Sequence, residues 1–272
     1  MSFEYEKYIR TGTLPHIWCP GCGHGIVMKS MLRAIDGLKL DKNNIAVVSG
    51  IGCTSRLPGY LDMNTLHTTH GRALSFATGI KLANPKLTVI VISGDGDAVA
   101  IGGNHFIHAA RRNIDITLMI FNNSIYGMTG GQVAPTTPIG AIATTMPYGN
   151  IDPPFDIVKL AEGAGATFIA RTTSYHTAQT EQLVKQAIQH KGFSVLDIID
   201  ACPVQYGRRN APRDATEMLK VQKDNTVPVQ LAQKKSAEEL KNKIITGIFV
   251  KKELPEYAET YYNTIMPKAK AK

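Results

Sequence analysis

The stretch LTVIVISGDGDAVAIGGNHFIHAARRNIDITLMIFNN, residues 87–123, decides the fold of this 272-residue chain. Its first and last segments, 87–93 and 116–122, are continuous apolar runs of strand length, and the residues between them, about 103–112, are expected to form a helix. Strands that are apolar on both faces are typical of a parallel sheet covered by helices on both sides. The sequence therefore predicts an α/β fold with three layers and a mostly parallel sheet.

Polar residues follow both apolar runs. The first run ends in GDGD, residues 94–97, and the second ends in Asn122-Asn123. Because a right-handed crossover brings both strand ends to one edge of the sheet, the Asp95 carboxylate and the Asn123 amide oxygen can converge on a hard cation such as Mg²⁺. Glycines let the backbone approach a diphosphate closely, and the helix that begins near residue 103 offers it N-terminal N–H groups. These residues predict a magnesium and diphosphate site.

The chain contains four cysteines: Cys19, Cys22, Cys53 and Cys202. Two of them follow predicted strands, 45–52 and 193–201, and so fall at the same sheet edge as the GDGD segment. Four thiolates from three chain segments can hold a [4Fe–4S] cluster. A zinc site, a dithiol formed by Cys19 and Cys22, and buried structural cysteines are the alternatives. Disulfides are not expected, because the N-terminus lacks the apolar segment of a secretory signal.

The rest of the chain is expected to contain further helices and one long loop. Helices are expected after Gly23 and over residues 73–84, 154–166 and 180–192, and residues 127–154 are expected to form a long loop. We divide the chain into an α/β domain, residues 1–212, and a polar C-terminal helical extension, residues 213–272.

The composition excludes several classes of protein. Apolar residues make up 43% and charged residues 19% of the chain, which is ordinary for a globular protein, and no apolar run reaches membrane-spanning length. The net charge is +8, and residues 213–272 contain 12 Lys and Arg against 8 Asp and Glu. Because the basic residues are not interleaved with aromatic ones, we expect a solvated surface or an acidic protein partner, and neither nucleic acid nor a membrane.

Six motifs in this order resemble those of one family. They are WCPGCGHG (18–25), GIGCTSR (50–56), HTTHGRA (67–73), GDGDAVAIGGNH (94–105), NNSIYGMTGGQ (122–132) and DACP (200–203). The segment that begins GDG and ends NN resembles the thiamine diphosphate motif. Together the six closely resemble the β subunit of 2-oxoacid:ferredoxin oxidoreductases, over residues 15–213. The first motif is most similar to the 2-oxoglutarate branch.

The resemblance implies a thiamine diphosphate-binding fold with three cofactors. Mg²⁺ would be held by the side chains of Asp95 and Asn123 and by the carbonyl of Ile125, while Asp97 would bind loop backbone. The four cysteines would hold one [4Fe–4S] cluster. Thiamine diphosphate would contact Ile51, Gly52, Cys53, Thr54, His67, Gly94, Asp95, Gly96, Asn123, Met128 and Thr129.

The implied reaction is the oxidative decarboxylation of a 2-oxoacid, with coenzyme A taking the acyl group and ferredoxin the electrons. The expected substrate is 2-oxoglutarate, which would give succinyl-CoA; pyruvate or a branched-chain 2-oxoacid is the alternative. A zinc-stabilised interaction subunit without catalysis and a decarboxylase without a cluster are rival functions. Iron–sulfur chemistry also implies an oxygen-poor cytoplasm.

Three residues are candidates for catalysis. His67 and His70 could donate or accept protons, or could simply satisfy loop backbone. Arg56 could grip the distal carboxylate of 2-oxoglutarate, or could form a structural ion pair. Because the only glutamates before Arg72 lie in the irregular N-terminus, we expect an α subunit to supply the Glu that activates the thiamine pyrimidine.

Overall fold

The computed structural model describes residues 3–271. The strands are β1 (Ile45–Ser49), β2 (Asn64–His67), β3 (Thr88–Gly94), β4 (Thr117–Asn122), β5 (Ile125–Tyr126), β6 (Gln132–Val133), β7 (Phe168–Thr173), β8 (Ser194–Ile199), β9 (Thr226–Pro228) and β10 (Ile244–Lys251). The α-helices are α1 (His24–Gly37), α2 (Ala73–Ala83), α3 (Gly103–Arg111), α4 (Ile157–Gly163), α5 (Thr177–Gln189), α6 (Ala215–Asp224), α7 (Val229–Ala232), α8 (Tyr257–Thr260) and α9 (Met266–Lys270).

Eight strands form one sheet in the order β2-β1-β3-β4-β8-β7-β10-β9. Every pairing from β2 to β7 is parallel, and β10 runs antiparallel to β7. Alternate residues of each central strand point to opposite faces, and both faces are packed. Ile90 and Ile92 of β3 pack on the side of α1 and α5, whereas Val89 and Val91 pack on the side of α2, α3 and α4. The predicted three-layer α/β fold is confirmed.

The sequence missed four strands of this sheet, β2, β7, β9 and β10. Strand β7 is buried but contains Arg171, a residue that rarely occurs inside a sheet. The Arg171 guanidinium lies 2.7 Å from the Asp197 carboxylate and 2.5 Å from that of Asp156. This pairing makes the charge tolerable in the interior, although it removes the apolar pattern by which such a strand is recognised.

The predicted C-terminal helical extension is wrong for part of its length. Residues 213–272 contain helices, but they also contain β9 and β10, and β10 pairs with β7 at the end of the main sheet. Two irregularities hide β10 in the sequence. Gly247 has a φ of +119°, and the register with β7 shifts between Ile248 and Val250. Both break the alternation of apolar and polar residues that is typical of a strand.

The helix after β3 begins earlier than predicted. Residues Gly96–Ile101 form a π-helical segment that leads into α3, and Asp95 occupies its N-cap position. The helical N-terminus at this sheet edge therefore lies near Gly96 and not at residue 103. In the part of the chain described here, residues 3–271, the helices are too short or too polar to cross a membrane.

A charge at Val250 tests the place of β10 in the core. Val250 is 7% exposed and packs with the helices α2 to α4, whereas its neighbour Lys251 is exposed. We expect Val250→Asp to lower the free energy of unfolding by about 3 kcal/mol or more, and Lys251→Asp to change it by less than about 1 kcal/mol. Urea unfolding measures both values. Equal, small effects would contradict the assignment of β10 to the core.

Candidate thiamine diphosphate and iron–sulfur site

A cleft of about 190 Å³ opens at the carboxyl ends of β1, β3 and β4. Its floor is formed by the loop after β1, by the GDGD segment and by the turn after β4. Every residue that the resemblance assigned to the thiamine cofactor borders this cleft except His67. Asp97, Ile125, Tyr126 and His70 border it as well. The parallel topology therefore brings the two polar strand ends together, as the sequence predicts.

Asp95 is a buried carboxyl group that borders the cleft. It is 3% exposed, and the Thr136 hydroxyl donates a hydrogen bond to it. Burial raises the pKa of Asp95 to about 6, and the nearby Asp197 carboxylate acts in the same direction. Hydrogen bonds from neutral donors only partly offset the hydration that a buried carboxylate loses. A cation at this point would therefore stabilise the charged form of Asp95.

The possible oxygen ligands around Asp95 are few. Asn123 and the backbone of Ile125 border the same cleft, and the Asn123 side-chain oxygen accepts a hydrogen bond from the Ile125 N–H at 3.3 Å. Within residues 3–271, no three His, Cys, Asp or Glu side chains lie close enough to hold one metal ion. One carboxylate, one amide and one carbonyl are oxygen ligands of the kind that Mg²⁺ prefers, and they would leave coordination positions for diphosphate oxygens and water.

Asp97 organises the loops around the cleft. It is 3% exposed and accepts hydrogen bonds from the backbone N–H groups of Ile51 (3.2 Å) and Gly71 (2.7 Å) and from the Ser93 hydroxyl (2.6 Å). A Cβ atom on Gly50 would lie 2.2 Å from this carboxylate, so only glycine fits there. Asp97 therefore binds loop backbone, as the resemblance implies.

The three candidate catalytic residues lie in different places. His70 borders the cleft, and its Nδ1 atom lies 2.6 Å from the Asp97 carboxylate. His67, at the end of β2, is exposed, and its Nδ1 atom lies 3.4 Å from the Ser49 hydroxyl. Arg56 is exposed and does not border the cleft. Of the three, His70 alone is placed at the cleft by this chain.

A second cavity, of about 260 Å³, adjoins the cleft, and all four cysteines line it. Cys53, Asn123, Gly127 and Met128 border both spaces. A Cβ atom on Gly127 would lie 3.7 Å from the sulfur atoms of both Cys53 and Cys202. The structure describes all four cysteines, and none of them forms a disulfide. Cys53 and Cys202, which the sequence placed after two strands at one sheet edge, follow β1 and β8 and line this cavity together with Cys19 and Cys22.

The cavity disfavours the charged form of an isolated thiol. Burial raises the pKa of Cys53 to about 11 and raises those of Cys22 and Cys202. Trp18 covers the site; it is 6% exposed, and its indole N–H donates a 2.7 Å hydrogen bond to the Cys53 carbonyl. Thiolates in such a setting need a cationic partner.

Sequence reasoning missed a buried polar chain in the wall between the two spaces. Asp200 Oδ2 lies 2.5 Å from His24 Nδ1, and His24 Nε2 lies 3.1 Å from the Thr54 hydroxyl oxygen. The one signal available was position, since each of the three lies within two residues of a cysteine.

Comparisons with known proteins agree with this geometry. The family model of the thiamine pyrophosphate enzyme, C-terminal TPP binding domain, matches residues 50–198. Over 263 residues the chain is 53% identical to the 2-oxoglutarate synthase subunit KorB of Archaeoglobus fulgidus, covering 95% of this chain and 93% of that protein. The chain belongs to the KorB family of 2-oxoacid:ferredoxin oxidoreductase β subunits.

Two further members of the family extend the comparison. KorB of Methanothermobacter marburgensis is 48% identical over 265 residues, which cover 97% of this chain and 93% of that protein. A solved 2-oxoglutarate:ferredoxin oxidoreductase from Magnetococcus marinus, with 2-oxoglutarate, coenzyme A and succinyl-CoA bound, superposes with a TM-score of 0.87 at 31% identity. That match covers 98% of this chain and 91% of the other. The family predicted from the motifs is confirmed, and with it a thiamine-binding oxidoreductase subunit.

The pKa of Asp95 gives the metal-free chain a specific pH dependence. Because the native state holds the Asp95 proton more tightly than the unfolded state does, stability falls as the pH rises from about 4 to about 6, by about 3 kcal/mol at most. Asp95→Asn keeps an acceptor for Thr136 and removes this loss. Urea unfolding at about pH 4.5 and 7.5 should therefore show a smaller decrease in stability for the variant. An identical decrease in both proteins would contradict the buried, uncompensated carboxylate.

Proposed function

We propose that this chain, together with an α subunit, converts 2-oxoglutarate and coenzyme A into succinyl-CoA and CO₂ and passes the electrons to ferredoxin. One observation carries the proposal. The cleft with the magnesium-type ligands and the cavity with four cysteines share a wall that includes Cys53, Gly127 and Met128. A decarboxylase without redox chemistry has no use for a thiolate cavity beside its cofactor, whereas electron transfer to a cluster needs this proximity.

The cavity supports a [4Fe–4S] cluster in preference to zinc. A zinc ion needs four ligands converging within about 2.3 Å of one point. The cysteines instead surround about 260 Å³, and in the described part of the chain no three His, Cys, Asp or Glu side chains converge on a single ion. A cubane with one thiolate at each iron fits four cysteines spread around a space of that size.

Each part of the cleft has a proposed task. Asp95, Asn123 and the Ile125 carbonyl hold Mg²⁺, and the N–H groups near Gly96 bind the diphosphate. When bound, thiamine diphosphate supplies the nucleophilic carbon that attacks the 2-oxo group. Met128 and Ile51, which are 45% and 42% exposed, offer apolar surface to the bent cofactor at the mouth of the cleft.

The chain's own carboxyl groups do not serve the thiamine pyrimidine in this proposal. Among the residues that border the cleft, Asp95 and Asp97 are the acids, and no glutamate occurs. Asp97 is occupied by loop donors, and Asp95 is assigned to magnesium. An α subunit that covers the cleft therefore supplies the activating Glu, and the chain alone is inactive.

The substrate assignment follows the relatives, two of which are named 2-oxoglutarate synthase subunits. We propose that Arg56 binds the distal carboxylate of 2-oxoglutarate and that His67 joins His70 at the active site once the α subunit is in place. Arg56 and His67 are both exposed on this chain, so a partner subunit could cover them.

The decisive experiment is to purify the chain with its α subunit in the absence of oxygen and to assay a panel of 2-oxoacids. We expect iron and acid-labile sulfide in the complex, and coenzyme A-dependent reduction of ferredoxin with 2-oxoglutarate. Faster turnover with pyruvate or a branched-chain acid would contradict the substrate, and zinc in place of iron would contradict the cluster. Full activity of the isolated chain would contradict the role of the α subunit.

A methyl group on Gly94 tests the diphosphate site. A Cβ atom there would meet the Thr54 hydroxyl at 3.5 Å, an ordinary contact, but it would stand in the cleft. We expect Gly94→Ala to weaken binding of thiamine diphosphate to the complex by about tenfold or more, with the free energy of unfolding changed by less than about 1 kcal/mol. Gly103→Ala, on the open side of α3, is the control and should change neither value. Unchanged cofactor affinity in Gly94→Ala would remove this residue from the site.

A further inference from the structure

Each of the three chain segments that carry the cysteines contributes one member of the buried polar chain Asp200–His24–Thr54. Thr54 follows Cys53 directly, His24 comes two residues after Cys22, and Asp200 comes two residues before Cys202. The three side chains come from the start of α1 and from the loops after β1 and β8, and each is 5% exposed or less. A single hydrogen-bonded chain therefore connects segments that are up to 176 residues apart in sequence.

The position of Asp200 is fixed by backbone as well as by His24. Its second oxygen accepts a 2.8 Å hydrogen bond from the Ala201 N–H, and its own N–H donates to the Asn122 carbonyl at 2.8 Å. A Cβ atom on Gly23 would lie 1.7 Å from the Asp200 carboxylate. The start of α1 thus lies directly against the carboxylate, so neither element can shift without breaking the contact.

The His24 ring is held on its faces and edges too. Its centroid lies 5.7 Å from that of Trp18 and 5.3 Å from that of Phe121, and both ring pairs are close to perpendicular. Trp18 in turn donates to the Cys53 carbonyl. Edge-to-face contacts of this kind add to the hydrogen bonds and restrict the imidazole to one orientation.

The chain also spans the wall between the two spaces of the site. His24 lines the cysteine cavity, whereas Thr54 lines the cleft that binds the thiamine cofactor. Removing one member would leave a buried donor or acceptor without its partner and would release the loop that carries it. The sulfur atoms would then move, because Cys22, Cys53 and Cys202 each lie one or two residues from a member of the polar chain.

We propose that Asp200, His24 and Thr54 are positioning residues that hold Cys22, Cys53 and Cys202 in cluster-binding geometry and fix the cluster relative to the thiamine cleft. This inference rests on the iron–sulfur cluster of the proposed function. In metal sites, side chains that hold the ligands typically change metal affinity by about ten- to a hundredfold when they are replaced.

The chain offers a matched control at the opposite end of the sheet. The Thr167 hydroxyl oxygen lies 2.7 Å from His190 Nε2, and both residues are buried. Thr167 immediately precedes β7 and His190 follows α5, so the pair lies at the amino ends of the strands, away from the cysteines. It has the same threonine–histidine chemistry without a place in the site.

The test compares Thr54→Val, Thr54→Ser and Thr167→Val in the complex with the α subunit, purified without oxygen. The measurements are iron per complex, the rate at which an iron chelator removes the cluster, the midpoint potential of the cluster, and the urea unfolding midpoint. We expect Thr54→Val to lose its cluster about ten times faster than the wild type and to have a shifted potential, and Thr54→Ser to stay within about twofold of the wild type. Thr167→Val should lower the unfolding midpoint and leave the cluster unchanged.

Several results would overturn the inference. If Thr54→Val keeps its cluster as long as the wild type and at the same potential, the chain does not position the cluster. If Thr167→Val loses its cluster equally fast, the effect is general destabilisation. If the wild-type complex contains no iron, the proposed cluster itself fails, and this is seen before any variant is compared. Thr54→Val replaces one hydroxyl by a methyl group, whereas replacing His24 by a small residue would remove a ring packed between Trp18 and Phe121, so Thr54→Val puts folding less at risk.

Discussion

The parallel pairing of β1, β3, β4 and β8 is the constraint on which the site depends, because it brings the carboxyl ends of four strands to one edge of the sheet. Each of these strand ends is followed by one of the functional groups of the site. Cys53 follows β1, the GDGD segment follows β3, Asn123 follows β4 and Cys202 follows β8. Since both faces of the sheet are packed with apolar side chains, the strands cannot slide without exposing the core, and the four groups keep a fixed spacing.

The same edge gathers buried carboxyl groups, and the way each is compensated separates structural acids from the proposed ligand. Asp197 is paired with the guanidinium of Arg171, and Asp200 with the imidazole of His24. Asp97 has three hydrogen-bond donors besides His70. Asp95 has the Thr136 hydroxyl as its side-chain donor, and burial raises its pKa to about 6. Of the two acids that border the cleft, Asp95 therefore has the weaker compensation, and a cation would stabilise its charged form.

The sequence predicted those parts of the structure that are local and regular. Strands β3 and β4 are buried on both faces, so their apolar runs were plain, and the crossover rule placed Asp95 beside Asn123 without any structure. The parts that were missed depend on contacts distant in sequence. Strand β7 is hidden by Arg171, whose charge is neutralised by Asp197 and Asp156, and β10 by a glycine and a register shift. The pairing of His24 with Asp200 has no local pattern at all.

Electrostatics also gives a reason for the proposal that the activating Glu comes from an α subunit. A group that promotes proton transfer on the pyrimidine must have a carboxylate free to exchange a proton. Both acids at the cleft are committed, Asp97 to the loops and Asp95 to the proposed magnesium. A further buried acid beside them would raise its own pKa and that of Asp95 by repulsion, and so would weaken the cation site. Placing that acid on a separate subunit, as we propose, avoids this conflict.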